Sequence, residues 1–304
     1  MKKVYQLSDL SNREILDHGA EKPAKLAVIG YPVEHSSSPQ MHQAALDAMG
    51  MDIRYIRLEL KEHELAPAIT QMQKLGFYGC NVTVPHKLNI IKECKTLSSD
   101  AQAMGVVNTI HFNINSSHTI TGHNTDAYGL IKAIKDDFSI NVNDLKVMIL
   151  GTGGGAGRAA ATQCARIGCQ KLWLINRTLA KAQDLAKQLQ NSTELKIHAL
   201  EPNSKYITNA INEADLIINA TSLGLKKEDP MPLEKAKLRN NQFVYDMIYN
   251  PAETQFLKHA KSQGSQTSNG LSMLLHQGAL AYQYWFPKTE PLEFMRKGLF
   301  SLLS

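Results

Sequence analysis

An α/β fold divided between two sheet-based units is predicted by three observations. Strand-like and helix-like segments alternate from Lys25 to Trp285. The strands KVMIL (146–150) and KLWLI (171–175) are apolar almost throughout, as strands covered on both faces of a parallel sheet should be. A chain of 304 residues is also long enough for two cores rather than one.

Taken in order, the first 24 residues read as a polar, loosely structured extension. Lys25–Ile29 is a strand stopped by Gly30, and Pro39–Met49 is a helix ending at Gly50. Ile53–Leu60 alternates as a strand, and His63–Leu75 carries apolar residues at helical spacing until Gly76. Cys80–Val84 is the next strand. Residues 110–120 read as a hairpin (IHFNI, a polar NSSH turn, then TI), which makes an otherwise mainly parallel first sheet mixed. A helix at 126–136 leads into the second unit. There KVMIL is followed by GTGGGAGRAA, a helix to Ile167, KLWLI, and further strands at 196–199, 215–219 and 243–246. A long helical pattern starts at Leu271. The expected organisation is an extension (1–24), a first domain (25–125), a second domain (126–265) and C-terminal helices (266–304) that return to the first domain.

Composition excludes several classes. With 43% hydrophobic and 20% charged residues the chain suits a globular fold and not long disorder. The net charge of +5 is scattered and not clustered, which argues against a nucleic-acid partner and is compatible with a ligand carrying phosphates or a carboxylate. No run approaches a membrane span, and MKKVYQLSDL has no apolar stretch behind its lysines, so neither a membrane nor a secretory signal is expected. Cys80, Cys94, Cys164 and Cys169 form no CxxC pair, which favours a reduced, cytoplasmic setting. The histidines show no metal-ligand spacing, and no metal is expected. The oligomeric state, monomer or homodimer, is left open.

Gly151, Gly153 and Ala156 form GxGxxA between an apolar strand and a helix. The first glycine permits the turn, the second admits a pyrophosphate to the backbone, and the small third residue lets helix and strand pack closely, with the anion at the helix N-terminus. The run Gly153, Gly154, Gly155 followed by Gly157 leaves this register open by one residue. These features predict a Rossmann dinucleotide site. After KLWLI comes Asn176-Arg177-Thr178 in place of the acidic residue that would hold a ribose 2′-hydroxyl. Arg177 offers planar donors to a 2′-phosphate, Thr178 a hydroxyl and Lys181 a further charge, so the expected cofactor is NADP.

A second polar group precedes the nucleotide unit. Ser36 and Ser38, in HSSSP, would face the same way in an extended segment and could bind a carboxylate or hydroxyls together; helix capping explains them equally well. Lys87 follows Pro85, which breaks the ladder and turns the chain at a strand's end, and Asp126 opens a helix. Asn81, Thr83, Asn108 and Asn124 are short polar residues near strand ends, which suits a polyhydroxylated small molecule. Hydride transfer to or from a secondary alcohol needs a proton donor and acceptor; a lysine oriented by an aspartate can serve as both, and, because that pairing favours the charged lysine, Asp126 can equally take part in shuttling the proton.

In this order the residues closely resemble the shikimate dehydrogenase family. The stretches that carry the resemblance are GYPVEHSSSPQMH (30–42), GCNVTVPHK (79–87), GVVNT (105–109), GHNTDAYG (122–129), GTGGGAGRA (151–159), NRT (176–178), NATSLG (219–224), DMIYNPAET (246–254) and NGLSMLLHQGA (269–279). The resemblance implies reversible, NADPH-dependent reduction of 3-dehydroshikimate to shikimate, in the route to chorismate and aromatic amino acids. It implies a substrate domain with a mixed sheet and a Rossmann NADP-binding domain. It places the catalytic pair on Lys87 and Asp126 and the carboxylate-binding serines on Ser36 and Ser38. Further substrate contacts fall on Asn81, Thr83, Asn108, Tyr249 and Gln277, and further cofactor contacts on Thr221, Ser222 and Gly270.

Three features depart from the family pattern. The glycine loop appears one residue longer than the usual GAGGAxR, Lys181 stands where a second arginine is frequent, and the N-terminal extension is additional. Serine at position 38 resembles the shikimate-specific form, threonine being associated with quinate. A quinate/shikimate dehydrogenase using NAD, or both cofactors, is the nearest alternative. A non-catalytic protein binding a nucleotide or ring acid is the alternative of another class, and the presence of Lys87 and Asp126 disfavours it.

Overall fold

The computed structural model describes residues 2–113, 119–233 and 237–301. Contacts divide the chain into two units, residues 1–125 with 275–304, and residues 126–274.

In the first unit the extension is ordered, contrary to the expectation of a loose segment. Tyr5, Leu10 and Leu16 are buried, the last two on a 3₁₀ turn (Leu7–Ser11) and a one-turn helix α1 (Arg13–Leu16). Elements this short offer no periodicity to detect. The Arg54 guanidinium ties them down, donating to the Tyr5 hydroxyl (2.9 Å) and pairing with Asp17 (2.8 Å).

The first sheet contains β1 (Ala24–Gly30), β2 (Arg54–Glu59), β3 (Gly79–Val82), β4 (Thr96–Leu97), β5 (Thr109–Asn113) and β6 (Thr119–His123). Their order is β2-β1-β3-β5-β6-β4, parallel through β2, β1 and β3 and antiparallel at β3/β5 and β5/β6. The expected hairpin is therefore present as β5 and β6; its NSSH turn lies outside the described residues. Between the strands run α2 (Ser38–Ala48), α3 (Leu65–Lys74) and α4 (Ser99–Met104).

Alternation sorts the two faces of this sheet. Ala27, Ile29, Ile56, Leu58, Cys80, Val82, Ile110 and Phe112 join the core beneath α3. Tyr55 instead meets His42 of α2, the two rings stacked at 4.4 Å, and Asn81 lies beside Tyr55. This second face is the one that carries polar side chains.

The second unit holds α5 (Asp126–Phe138), β7 (Lys146–Leu150), α6 (Gly155–Arg166), β8 (Lys171–Ile175), α7 (Leu179–Gln190), β9 (Ile197–Leu200), α8 (Ile207–Glu213), β10 (Leu216–Asn219), β11 (Phe243–Asp246), α9 (Gln255–Ser262) and β12 (Gln266–Asn269). The sheet is parallel throughout, in the order β12-β11-β10-β7-β8-β9. Val147 and Ile149 face α5, α6 and α7, whereas Met148 and Leu150 face α8 and α9, which is why KVMIL is apolar on both sides. This is the doubly wound order, reversing between β7 and β10.

Helix α10 (Leu271–Trp285) begins in the second unit and continues into the first, where the Trp285 indole N–H donates to the Ile110 carbonyl (2.9 Å). The last helix, α11 (Leu292–Phe300), packs on α2.

Candidate active site

The polar face of the first sheet carries a continuous hydrogen-bonded chain of side chains. The Asn81 carbonyl oxygen accepts from the Tyr55 hydroxyl (2.7 Å), and its amide donates to Thr109 Oγ1 (3.1 Å). Thr109 donates to Asn108 Oδ1 (3.2 Å), which also accepts from the Thr125 backbone N–H (2.7 Å). The Thr125 hydroxyl and the Asn108 amide both reach Gln277 Oε1 (3.4 Å each). Asn81, Asn108 and Gln277, expected to share a site, are thus brought together, and all three are buried. Thr109 and Thr125 link them and were not anticipated. Both lie in stretches singled out for other residues, and their role depends on bonds between strands that sequence spacing does not display.

Lys87 lies beyond the strand, in the turn that Pro85 predicts. β3 stops at Val82, two residues earlier than expected, and residues 84–88 form a turn. Pro85 has no N–H to extend the ladder. Beside it His86 is fully buried and bonded through Nε2 to the Leu60 carbonyl (2.8 Å), which anchors the turn from below. The Lys87 carbonyl accepts from the Val107 N–H (3.0 Å). Adjacent residues, Val107 and Asn108, therefore hold the backbones of Lys87 and Thr125, and Asp126 follows Thr125 directly. Asp126 is buried at the first position of α5, where the helix dipole favours a carboxylate. Asn124 donates to the Val106 carbonyl (3.1 Å), reinforcing the same junction. Thr83 is partly exposed, and its N–H donates to the Ile29 carbonyl (2.9 Å).

The serine pair also differs from expectation. Ser36–Ser38 is not extended: Ser37 has φ −86° and ψ 0°, and Ser38 is the first residue of α2. The two side chains are instead related through the turn, the Ser38 N–H donating to Ser36 Oγ (3.3 Å).

In the second unit Gly151 follows β7 at φ +87°, a backbone conformation suited to glycine. Helix α6 starts at Gly155, and its N-cap Gly154 has no side chain with which to cap the first turn. The residue that packs helix against strand is Gly157, not Ala156: a Cβ at 157 would lie 2.3 Å from the Gly151 oxygen, while Ala156 is partly exposed. The loop reads GxGxxxG, the extra residue shifting the close-packed position by one. Gly153 N–H donates to Asn176 Oδ1 (3.0 Å), and the Asn176 amide donates to the Thr178 carbonyl (2.9 Å), tying the glycine loop to the end of β8. Arg177, Thr178 and Lys181 are exposed beside it.

Thr221 closes the opposite flank, its methyl against Gly151, where the strand order reverses. Its N–H and hydroxyl both donate to Asn219 Oδ1 (3.0 and 2.7 Å). Asn219 in turn donates to Asp246 (3.0 Å), which also accepts from the Thr254 hydroxyl (2.7 Å). Burial pushes the Asp246 carboxyl up to about 6, against the pull of these bonds. This network beneath the loop was not foreseen. Ser222 is exposed. A Cβ on Gly270 would lie 2.1 Å from the Met247 oxygen, so the chain passes closely there, and Tyr249 stands partly buried after β11. A small-residue cradle, a helix N-terminus with glycine at its cap and a basic strand end without a carboxylate together fit a 2′-phosphorylated dinucleotide.

Comparison with known proteins agrees with this geometry. Residues 28–110 match the shikimate dehydrogenase substrate binding domain, 132–249 the shikimate/quinate 5-dehydrogenase family and 270–299 the shikimate 5′-dehydrogenase C-terminal domain. A shikimate dehydrogenase (NADP⁺) from Alkaliphilus oremlandii is 36% identical over 279 residues, covering 90% of this chain and 95% of the relative. The chain belongs to the shikimate dehydrogenase family. Among solved members, a Listeria monocytogenes shikimate 5-dehydrogenase in complex with shikimate and NAD superposes with a TM-score of 0.81 at 33% identity, covering 91% of this chain and 96% of that one. A quinate dehydrogenase from Corynebacterium glutamicum in complex with NAD gives 0.80 at 29% identity, covering 91% and 98%. Within this shikimate dehydrogenase family chain, no described helix is long and apolar enough to cross a membrane.

Proposed function

We propose that the protein is an NADP-dependent shikimate dehydrogenase, reversibly reducing 3-dehydroshikimate to shikimate in the biosynthetic route to chorismate and aromatic amino acids. The observation that carries this reading is the coexistence of the two halves of the chemistry: the Asn81–Asn108–Gln277 chain, with Lys87 held through its carbonyl by Val107 next to Asn108, in the first unit, and a glycine cradle tied through Asn176 to the strand end that carries Arg177 in the second. A cytoplasmic setting accords with four cysteines in thiol form.

The first unit is the substrate domain. Ser36 and Ser38 hold the ring carboxylate, while Asn81, Thr83, Asn108, Tyr249 and Gln277 receive ring hydroxyls and the carbonyl. Gly151, Gly153, Gly154, Gly155, Ala156 and Gly270 line the dinucleotide with Thr221 and Ser222. Asn176, Arg177, Thr178 and Lys181 hold its adenosine 2′-phosphate. When bound, the nicotinamide supplies or accepts the hydride. In reduction the Lys87 ammonium gives its proton to the carbonyl oxygen, so that hydride and proton together convert C=O to CH–OH. In oxidation the neutral amine takes the hydroxyl proton back. Asp126 orients the lysine and steadies its charged form.

The test is a matrix of initial rates, shikimate or quinate against NADP⁺ or NAD⁺. The expected result is a kcat/KM dominated by shikimate with NADP⁺. The competing reading, a quinate/shikimate dehydrogenase using NAD, draws on the similarity to the Corynebacterium structure, and comparable quinate or NAD⁺ rates would establish it.

A further inference from the structure

The loop that presents the serine pair is fastened to β2 by the side chain of Arg57. Arg57 lies in the middle of β2, paired with Val28 of β1. Its guanidinium forks onto one backbone atom, Nε (3.1 Å) and Nη2 (2.7 Å) both donating to the Ser36 carbonyl oxygen. Nη2 also donates to Gln40 Oε1 (2.9 Å) on the first turn of α2. Arg57 therefore grips the residue before Ser37 and Ser38 and the helix turn after them.

The strand that carries it is itself held on both sides. The Tyr5 N–H donates to the Arg57 carbonyl, and the Glu59 N–H to the Tyr5 carbonyl, each at 2.8 Å. Lys3 of the same extension pairs with Glu34 (2.9 Å), and the Val33 N–H donates to Glu59 (3.3 Å). Three successive points of the loop, Val33, Glu34 and Ser36, are thus anchored either to β2 or to the segment that flanks it. Of these anchors only Arg57 acts on a serine of the pair.

We propose that Arg57 is a positioning residue for substrate binding: it fixes the Ser36 peptide, and with it the spacing of the Ser36 and Ser38 hydroxyls, so that both meet one carboxylate. A carbonyl held by two charge-assisted donors in one plane has little freedom to rotate, and a lysine, with a single mobile ammonium, cannot reproduce the fork. The chelated carbonyl explains how Ser36, in the irregular turn before α2, is kept in fixed relation to Ser38 on the helix. The proposal rests on the serine pair's receiving the acid group of the substrate.

The experiment compares wild type, Arg57→Ala and Arg57→Lys in steady-state oxidation of shikimate and of its methyl ester, with NADP⁺ saturating and then varied. Loss of the fork should raise KM for shikimate about tenfold with kcat changed far less, because the bonds it supports act in binding. KM for NADP⁺ should stay at the wild-type value. The preference for the free acid over the ester should narrow in parallel, which a merely structural loosening would not produce. Arg57→Lys should remain nearer to Arg57→Ala than to wild type, and Arg57→Gln, retaining planar donors, carries the comparison if the alanine variant does not accumulate. An unchanged KM and ester preference would overturn the proposal, as would an equal loss toward acid, ester and NADP⁺. Absence of shikimate oxidation by the wild type would instead remove the functional reading on which it rests.

Discussion

In the function proposed, the two units meet their ligands by opposite means. In the first, recognition is assigned to side chains, and those side chains are held by one another: Asn81, Thr109, Asn108, Thr125 and Gln277 form an unbroken chain in a buried setting. In the second it is assigned largely to backbone, and what matters is the absence of side chains at Gly151, Gly153 and Gly157. A polyhydroxylated ring has several directional groups to match, whereas a pyrophosphate is served by N–H groups at a helix end. Damage should therefore come from deletion in the first unit and from addition in the second.

The largest effect should follow from Lys87→Ala. Proton transfer by a positioned side chain contributes up to ~10⁴-fold, so kcat for shikimate oxidation should fall by roughly 10³-fold while the dissociation constant for NADP⁺ stays unchanged. Near-normal turnover would remove Lys87 from the chemistry. Equal damage to cofactor binding would blur the division between the units.

A smaller effect separates the units by pH. Burial, opposed weakly by Asn81, holds the His42 imidazole down to about 3. The unfolded chain binds that proton below about pH 6.5 and the folded chain does not, so His42 contributes stability that is complete above pH 6.5 and lost as pH falls toward 3. Asp246 acts in the reverse sense: its carboxyl, raised to about 6, favours the folded state at low pH and loses that contribution as pH rises through 6. In chemical denaturation, wild type should lose about 2 kcal/mol relative to His42→Phe between pH 7 and pH 5. Relative to Asp246→Asn it should gain about 1 kcal/mol over the same interval. Parallel pH profiles for wild type and both variants would show that neither group is titrated as its burial implies.

How far the sequence revealed this architecture depended on how strongly each segment was buried. KVMIL and KLWLI coincide residue for residue with β7 and β8, because a strand covered on both faces leaves an uninterrupted apolar run. The polar strand β12, QTSN, escaped notice, since an edge strand with no buried face carries no such mark. The extension escaped for a different reason: three buried residues on short irregular elements leave no period. Within the site, residue types near strand ends pointed to Asn81, Asn108 and Lys87. They did not disclose that β3 stops at Val82, that Ser38 is already the first residue of α2 and not part of an extended segment, or that Gly157 replaces Ala156 at the close contact. Each of these depends on where a strand stops or a helix begins, a matter of one or two residues that local propensity does not resolve.

The central claim, side chains for the substrate and bare backbone for the cofactor, is tested most directly by measuring both Michaelis constants in Asn108→Ala and in Gly157→Ala. Deleting the buried amide should raise KM for shikimate about tenfold and leave KM for NADP⁺ unchanged. Adding a methyl group that lies 2.3 Å from the Gly151 oxygen should do the reverse, weakening NADP⁺ and sparing shikimate. That crossed pattern is the predicted result. Variants that each weaken both ligands by similar factors would contradict it.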